Sequence, residues 1–131
     1  MSFDELLVEA RRLGLERQDA LAWLAHVSGH DRTWLSAHGD EAAPANAAAG
    51  LQRLAAGEPL AHLTGWQPFH DLVLAVTPDV LIPRPDTEAL VDWALELAPR
   101  GARVADLGTG SGAIALALKT ARPDLAVTAT D

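Results

Sequence analysis

Three glycines at alternate positions, Gly108, Gly110 and Gly112, stand between a short apolar run and a stretch of strong helix formers. Val104-Ala-Asp-Leu107 leads in, and Ala113-Ile-Ala-Leu-Ala-Leu-Lys119 follows. Strand, tight glycine turn and helix in that order make the first half of a nucleotide-binding βαβ unit. A second apolar run, Leu125 to Thr130, ends at Asp131, 19 residues after Gly112. That is where a second parallel strand offers a carboxylate to a ribose. Glycine tolerates positive φ and lets backbone approach a ligand closely, and the helix start behind the loop offers unpaired N–H groups. The stretch reads as a cofactor site.

The choice of cofactor turns on one side chain. Gly108-x-Gly110-x-x-Ala113 satisfies the dinucleotide fingerprint, in which alanine can replace the third glycine. Asp106, two residues ahead of the first glycine, points to a different ligand. A carboxylate at the carboxyl end of the strand repels a pyrophosphate and attracts the ammonium and sulfonium of S-adenosylmethionine. Asp-x-Gly-x-Gly-x-Gly resembles the cofactor loop of class I methyltransferases. Two other readings stay open: an NAD(P)-dependent oxidoreductase that uses the same glycine turn, and a non-catalytic module that docks a basic partner through the acidic surface of the helical residues 1–64.

The chain has 131 residues, room for one domain or for a small domain and part of another. Its 18 acidic residues against 10 basic ones leave a net charge of −8. With no basic run, direct nucleic-acid binding is not expected. No apolar stretch is long enough to cross a bilayer and the amino terminus is not a signal peptide, so a cytoplasmic protein is expected. The absence of cysteine removes disulfides and thiolate metal sites. A parallel sheet is buried on both faces, so two strands and one helix make an incomplete layer. The chain is therefore expected to be the front part of a longer protein.

Ser2-Phe-Asp-Glu5 has the form of a capping box and predicts a helix to Leu13 with Gly14 as its left-handed stop. A second helix is predicted over Arg17 to Val27, ended by Gly29, and a short third one is capped by Asp31. A fourth opens at Pro44 or Ala45, runs through Leu54 and is closed by Gly57. Pro59 to Leu63 adds one more turn, so residues 1–64 read as an all-α bundle. Trp66 to Phe69 and Leu72 to Val76 then read as a hairpin turning at His70-Asp71, with Pro68 on an edge or facing away from the ladder. Thr77 to Pro85 is a stiff connector, and Asp86 or Thr87 is expected to cap a helix from Glu88 to Leu97. Its predicted buried stripe is Ala89, Leu90, Trp93 and Leu97. The four tryptophans occupy core-like positions, although Trp66 could instead face a partner. The histidines are scattered, and no metal site is expected.

Three segments occur in order: Glu58-Pro-Leu-Ala-His-Leu-Thr-Gly65, Ile82-Pro-Arg-Pro-Asp-Thr-Glu88, and Asp106-Leu-Gly-Thr-Gly-Ser-Gly-Ala-Ile-Ala115. Together they resemble the bacterial peptide-chain release factor glutamine methyltransferases, the PrmC/HemK family. The glycine loop is shared by a great many methyltransferases, whereas the Ile-Pro-Arg-Pro-Asp-Thr-Glu segment is much narrower. The implied fold is α/β: a small helical bundle (1–64) that recognises the substrate, a β-hairpin and Pro-rich linker (65–85), then the beginning of a Rossmann-like methyltransferase domain (86–131). The implied activity is methylation, from S-adenosylmethionine, of the glutamine side-chain amide in the Gly-Gly-Gln loop of release factors, by a monomer.

Carried over by resemblance, Gly108, Thr109, Gly110, Ser111 and Gly112 form the cofactor loop, Asp131 binds the ribose hydroxyls and Asp106 lies near the methionine ammonium. Arg84, Thr87 and Glu88, in the segment from Pro83, border the methionine end of the cofactor and the substrate entrance. The family aligns its poorly nucleophilic amide nitrogen with an Asn-Pro-Pro-Tyr motif, a positioning effect. That motif does not occur in residues 1–131, and no catalytic residue is assigned here.

Overall fold

Ser2 and Glu5 form the capping box: the Ser2 amide donates to Glu5 Oε2 (2.8 Å) and the Glu5 amide to Ser2 Oγ (3.2 Å). The computed structural model describes all of residues 1–131, as an α/β chain in two compact units, Met1–Thr64 and Gly65–Asp131. The first unit holds α1 (Phe3–Arg12), α2 (Arg17–Ser28), α3 (Arg32–Ala37), α4 (Ala47–Ala55) and α5 (Leu60–Thr64). Four N–H groups at a helix start lack internal partners. In α1 two of them, from Phe3 and Asp4, donate to the carbonyls of Glu41 (3.2 Å) and Gly39 (2.8 Å). At the other end Gly14 has φ +80, its amide bonds Arg11 O (3.1 Å), and the Leu15 amide bonds Ala10 O (3.0 Å). That pair of bonds is a Schellman stop.

The stitching of residues 39–43 onto the start of α1 corrects the fourth helix. Ala43 N–H donates to Met1 O (3.0 Å) and Ser2 bridges Ala42, so the chain is still extended there. It then needs a turn, closed by the Ala47 amide on Pro44 O (2.9 Å), and α4 begins at Ala47 rather than at Pro44 or Ala45.

The core of this unit gathers Phe3, Leu6, Leu24, Leu35 and Leu51 around Trp23, whose indole Nε1–H donates to Ala47 O (2.9 Å). The indole lies over Gly50, where any β-carbon would overlap the ring. Trp34 meets Phe3 edge-on and is sandwiched between His30 and His38, with ring centroids 3.7 and 4.2 Å away.

In the second unit β1 (Trp66–Phe69) pairs antiparallel with β2 (Leu72–Ala75), Phe69 opposite Leu72. Val76 N–H donates to Gly65 O (3.0 Å), and the alternation of an antiparallel ladder then leaves Pro68, opposite Val73, in a non-hydrogen-bonded pair. α6 covers Pro85–Leu97, three residues earlier than the sequence predicts. Pro85 occupies the first helical position, where its fixed φ suits the helix and its missing N–H costs nothing. Arg84 is therefore the N-cap, and Asp86 and Thr87 lie inside the helix instead of capping it.

β3 (Arg103–Leu107) and β4 (Ala126–Thr130) form a parallel pair with α7 (Ala113–Ala121) between them in sequence. Phe69, Leu74, Val91, Ala113, Ala117 and Leu118 make the core. α6 enters it through Val91, Ala94 and Leu95, not through the predicted stripe: Leu90 and Leu97 are exposed, and so is Trp93 at 64%. This helix is apolar on more than one side, so periodicity alone cannot choose the buried one. Trp66, 52% exposed, likewise lies outside the core.

A bracket ties the end of α6 to the start of β4. Arg122 donates to the carbonyls of Leu95, Ala98 and Pro99 and pairs with Asp124 through Nε (3.0 Å) and an NH2 nitrogen (2.7 Å). Asp124 also accepts the Gly101 amide (2.9 Å). The Arg122 guanidinium first, and the Gly101 amide second, hold the Asp124 carboxyl well below the usual carboxylate range.

Two tests follow from this packing. Trp23→Phe removes the indole donor to Ala47 O and should cost about 0.5–1.5 kcal/mol in urea unfolding. Gly50→Ala should also destabilise, although in an open helix the same change gains about 0.5–1 kcal/mol. For the bracket, a depressed carboxyl pKa adds stability that is present above the unfolded value of 3.8 and lost as pH falls through the folded one. Asp124→Asn should flatten the acid limb of a thermal-melt series run downward from about pH 5.

Candidate functional site

The N-cap of α7 is Gly112, a residue with no side chain to cap the helix. The cap comes instead from β3, where Asp106 Oδ2 accepts the amide of Ala115 (3.2 Å), the third residue of the helix. The same oxygen accepts the Thr109 hydroxyl (2.8 Å). Strand, loop and helix are thus pinned to one carboxylate oxygen, and both bonds fall on Oδ2. Across the sheet, Thr130 O at the end of β4 accepts the amides of Gly108 (2.8 Å) and Thr109 (2.9 Å). Gly110 N–H reaches Asp131 Oδ1 at 3.4 Å. Gly108, Gly110 and Gly112 have φ of +73, +57 and +83, all in the left-handed region that glycine enters without penalty. A β-carbon at Gly108 or Gly110 would meet nothing within 4 Å, so the space in front of the loop is open.

That space continues into a pocket of about 170 Å³ lined on one side by Gly108, Thr109, Gly110, Ser111, Ala113 and Ile114. Its other side is Leu81, Ile82, Pro83, Arg84 and Thr87. The structure therefore brings the proline-rich segment and the start of α6 against the glycine loop, with Arg84 and Thr87 in the wall. Gly112 stands at the helix start just behind, and Asp106 and Asp131 flank the loop through their bonds to it. Glu88 is the exception. It does not line the pocket; its Oε1 accepts the His70 amide (2.6 Å) at the hairpin turn and fastens the hairpin. Leu81, Ile82 and Ile114 are wall residues that the sequence reading missed. An apolar pair directly ahead of a Pro-x-Pro connector was the available signal.

A family model described as the PrmC N-terminal domain matches residues 5–65. A release factor glutamine methyltransferase of Bordetella pertussis is 52% identical over 124 residues, 90% of this chain. Proteins of the same name from Salmonella typhimurium and Escherichia coli are 46% and 48% identical, over 100% and 88% of it. The chain belongs to the release factor glutamine methyltransferase family. It spans about half the length of the curated relatives it matches: 46%, 50% and 43% of these three. The alignments run well beyond residue 65, so the family likeness includes the second unit as well as the helical one.

If Asp106 caps α7 from a distance, its two replacements should separate. Asp106→Ala strands the Ala115 amide and the Thr109 hydroxyl and should cost about 1–3 kcal/mol in urea unfolding. Asp106→Asn keeps an acceptor oxygen and should lose much less. Equal losses in the two variants would show that the cap contributes nothing.

Proposed function

We propose that this chain carries the cofactor-binding loop and the substrate-docking domain of a protein-glutamine methyltransferase. The methyl group goes from S-adenosylmethionine to the side-chain amide nitrogen of the glutamine in the Gly-Gly-Gln loop of peptide-chain release factors. The names of its relatives support the reaction class, and Asp106 is the observation that carries the cofactor. A helix start is a ready anion site, and here an internal carboxylate already fills that place. A pyrophosphate would meet that charge at close range, whereas a cationic ligand gains from it. The dinucleotide reading is not favoured.

The residues present fit S-adenosylmethionine. β3, the glycine loop, α7 and β4 read as the opening of a Rossmann-like class I methyltransferase domain. Asp106 would hold the ammonium through its Oδ1, directly or through water, and Asp131 would hold the ribose hydroxyls. Gly108 to Gly112 would let the backbone approach, and Arg84 and Thr87 would border the methionine end. Bound there, the cofactor supplies an electrophilic methyl on a sulfonium. The contribution of this chain is to bind and orient it and to exclude water from the pocket. No residue here is assigned to the glutamine amide.

Residues 1–64 would dock the release factor, a basic, RNA-facing partner suited to a chain of net charge −8. Nucleic acid itself is not expected to bind. No helix is long and apolar enough to cross a membrane, and a cytoplasmic monomer is the proposed working form.

Calorimetric titration tests the cofactor. The protein should bind S-adenosylmethionine, and Asp106→Asn should weaken that binding by about 1–3 kcal/mol, the range for a charged hydrogen bond. Under a dinucleotide reading the same change removes a repulsion, and affinity for NAD would hold or rise. Binding of NAD without S-adenosylmethionine would overturn the proposal.

A further inference from the structure

His70 makes two bonds across to α6, and both run to carboxylates one helical turn apart. Its amide donates to Glu88 Oε1 (2.6 Å), and its ring Nε2 lies 2.8 Å from Asp92 Oδ1. Glu88 and Asp92 are four apart, so they share one face of the helix. Nδ1 is 3.8 Å from Asp71 Oδ2 in the same turn. His70 also holds φ at +52, an uncommon conformation for any residue but glycine. Its neighbour Phe69 is buried in the same core as Val91 of α6.

The charges around the ring are all of one sign. α6 presents Glu88 and Asp92 and the turn presents Asp71, while β1 and β2 contain no titratable side chain. The hydrogen bond that the ring donates to Asp92 is the main reason the imidazole is held above its ordinary pKa, opposed by some burial and helped by the field of the three carboxylates. The helix that grips His70 also borders the pocket at its start. Thr87 directly precedes Glu88, and Arg84 lies one turn before it, both in the wall opposite the glycine loop.

We propose that His70 is a positioning residue: as an imidazolium it clamps the hairpin turn onto α6, and so fixes Arg84 and Thr87 against the glycine loop. As neutral imidazole it keeps the backbone bond to Glu88 but loses the charge-assisted one to Asp92. The start of α6 then gains freedom. The sign follows from the elevated imidazole: the clamp is complete below the unfolded histidine range and is lost as pH rises through the folded value. In so far as the pocket is the cofactor site, which rests on the proposed function, affinity for S-adenosylmethionine should fall several-fold over the same interval.

The test begins without cofactor. Proton NMR of the His70 ring gives its titration midpoint, and the amide shifts of Arg84, Thr87, Gly108 and Gly110 are followed through the same pH range. The amides should titrate with the His70 midpoint. Asp92→Asn, a change at a largely exposed side chain, should lower that midpoint and move the amide curves with it. His70→Asn, which suits the positive φ, should leave the amides flat. A His70 midpoint unchanged by Asp92→Asn, or pocket amides that ignore it, would overturn the clamp. Cofactor titration below and above the midpoint is a separate arm. If the amides follow His70 and S-adenosylmethionine binds at neither pH, the fault lies with the proposed function and the clamp stands.

Discussion

The carboxylate of Asp106 joins three elements, the end of β3, the glycine loop and the start of α7. β3 ends beside it, the hydroxyl of Thr109 fixes the loop to it, and the Ala115 amide hangs α7 from it. The arrangement is economical because Gly112 cannot cap the helix it starts, and a glycine there is what allows the left-handed entry. A side chain at that position would supply a cap and spoil the turn. Moving the cap from Gly112 to Asp106, onto the strand, satisfies both demands. The anion so placed then biases the ligand that the loop can accept, and in this way local folding chemistry and cofactor choice rest on one group.

Much of the fold was legible because it is local. The Ser2–Glu5 box, the Asp31 cap and the stops at Gly14, Gly29 and Gly57 depend on neighbours within a few residues, and each signal lies in consecutive sequence. The start of α6 was misread for a related reason. Asp86 and Thr87 are good caps in isolation, but Pro85 is a better first helical residue, and only one register can form. α4 shifted because its approach is held by bonds to the other end of the unit, a constraint no window around Pro44 contains.

At the candidate site the loop glycines and their two carboxylates could be read from spacing, and the wall residues Arg84 and Thr87 from resemblance. Glu88 could not be placed from either source. It belongs to a segment of which Ile82, Pro83, Arg84 and Thr87 line the pocket, yet it bonds His70, 18 residues earlier. Trp66 and Trp93 illustrate the same limit. Tryptophan is a sound core residue by composition, but exposure is decided by which helix face meets α7 and by what the hairpin packs upon.

The distribution of those tryptophans has an optical consequence. The chain has no tyrosine, so its near-ultraviolet emission comes almost wholly from four indoles, divided two and two between the units. Trp23 is buried in the apolar core and Trp34 is stacked between two imidazoles, which quench indole emission, whereas Trp66 and Trp93 face solvent. The helical unit should emit weakly and to the blue, and the other strongly and to the red. Wavelength therefore separates the two units without any label, and the order in which they lose structure can be followed in a single unfolding experiment.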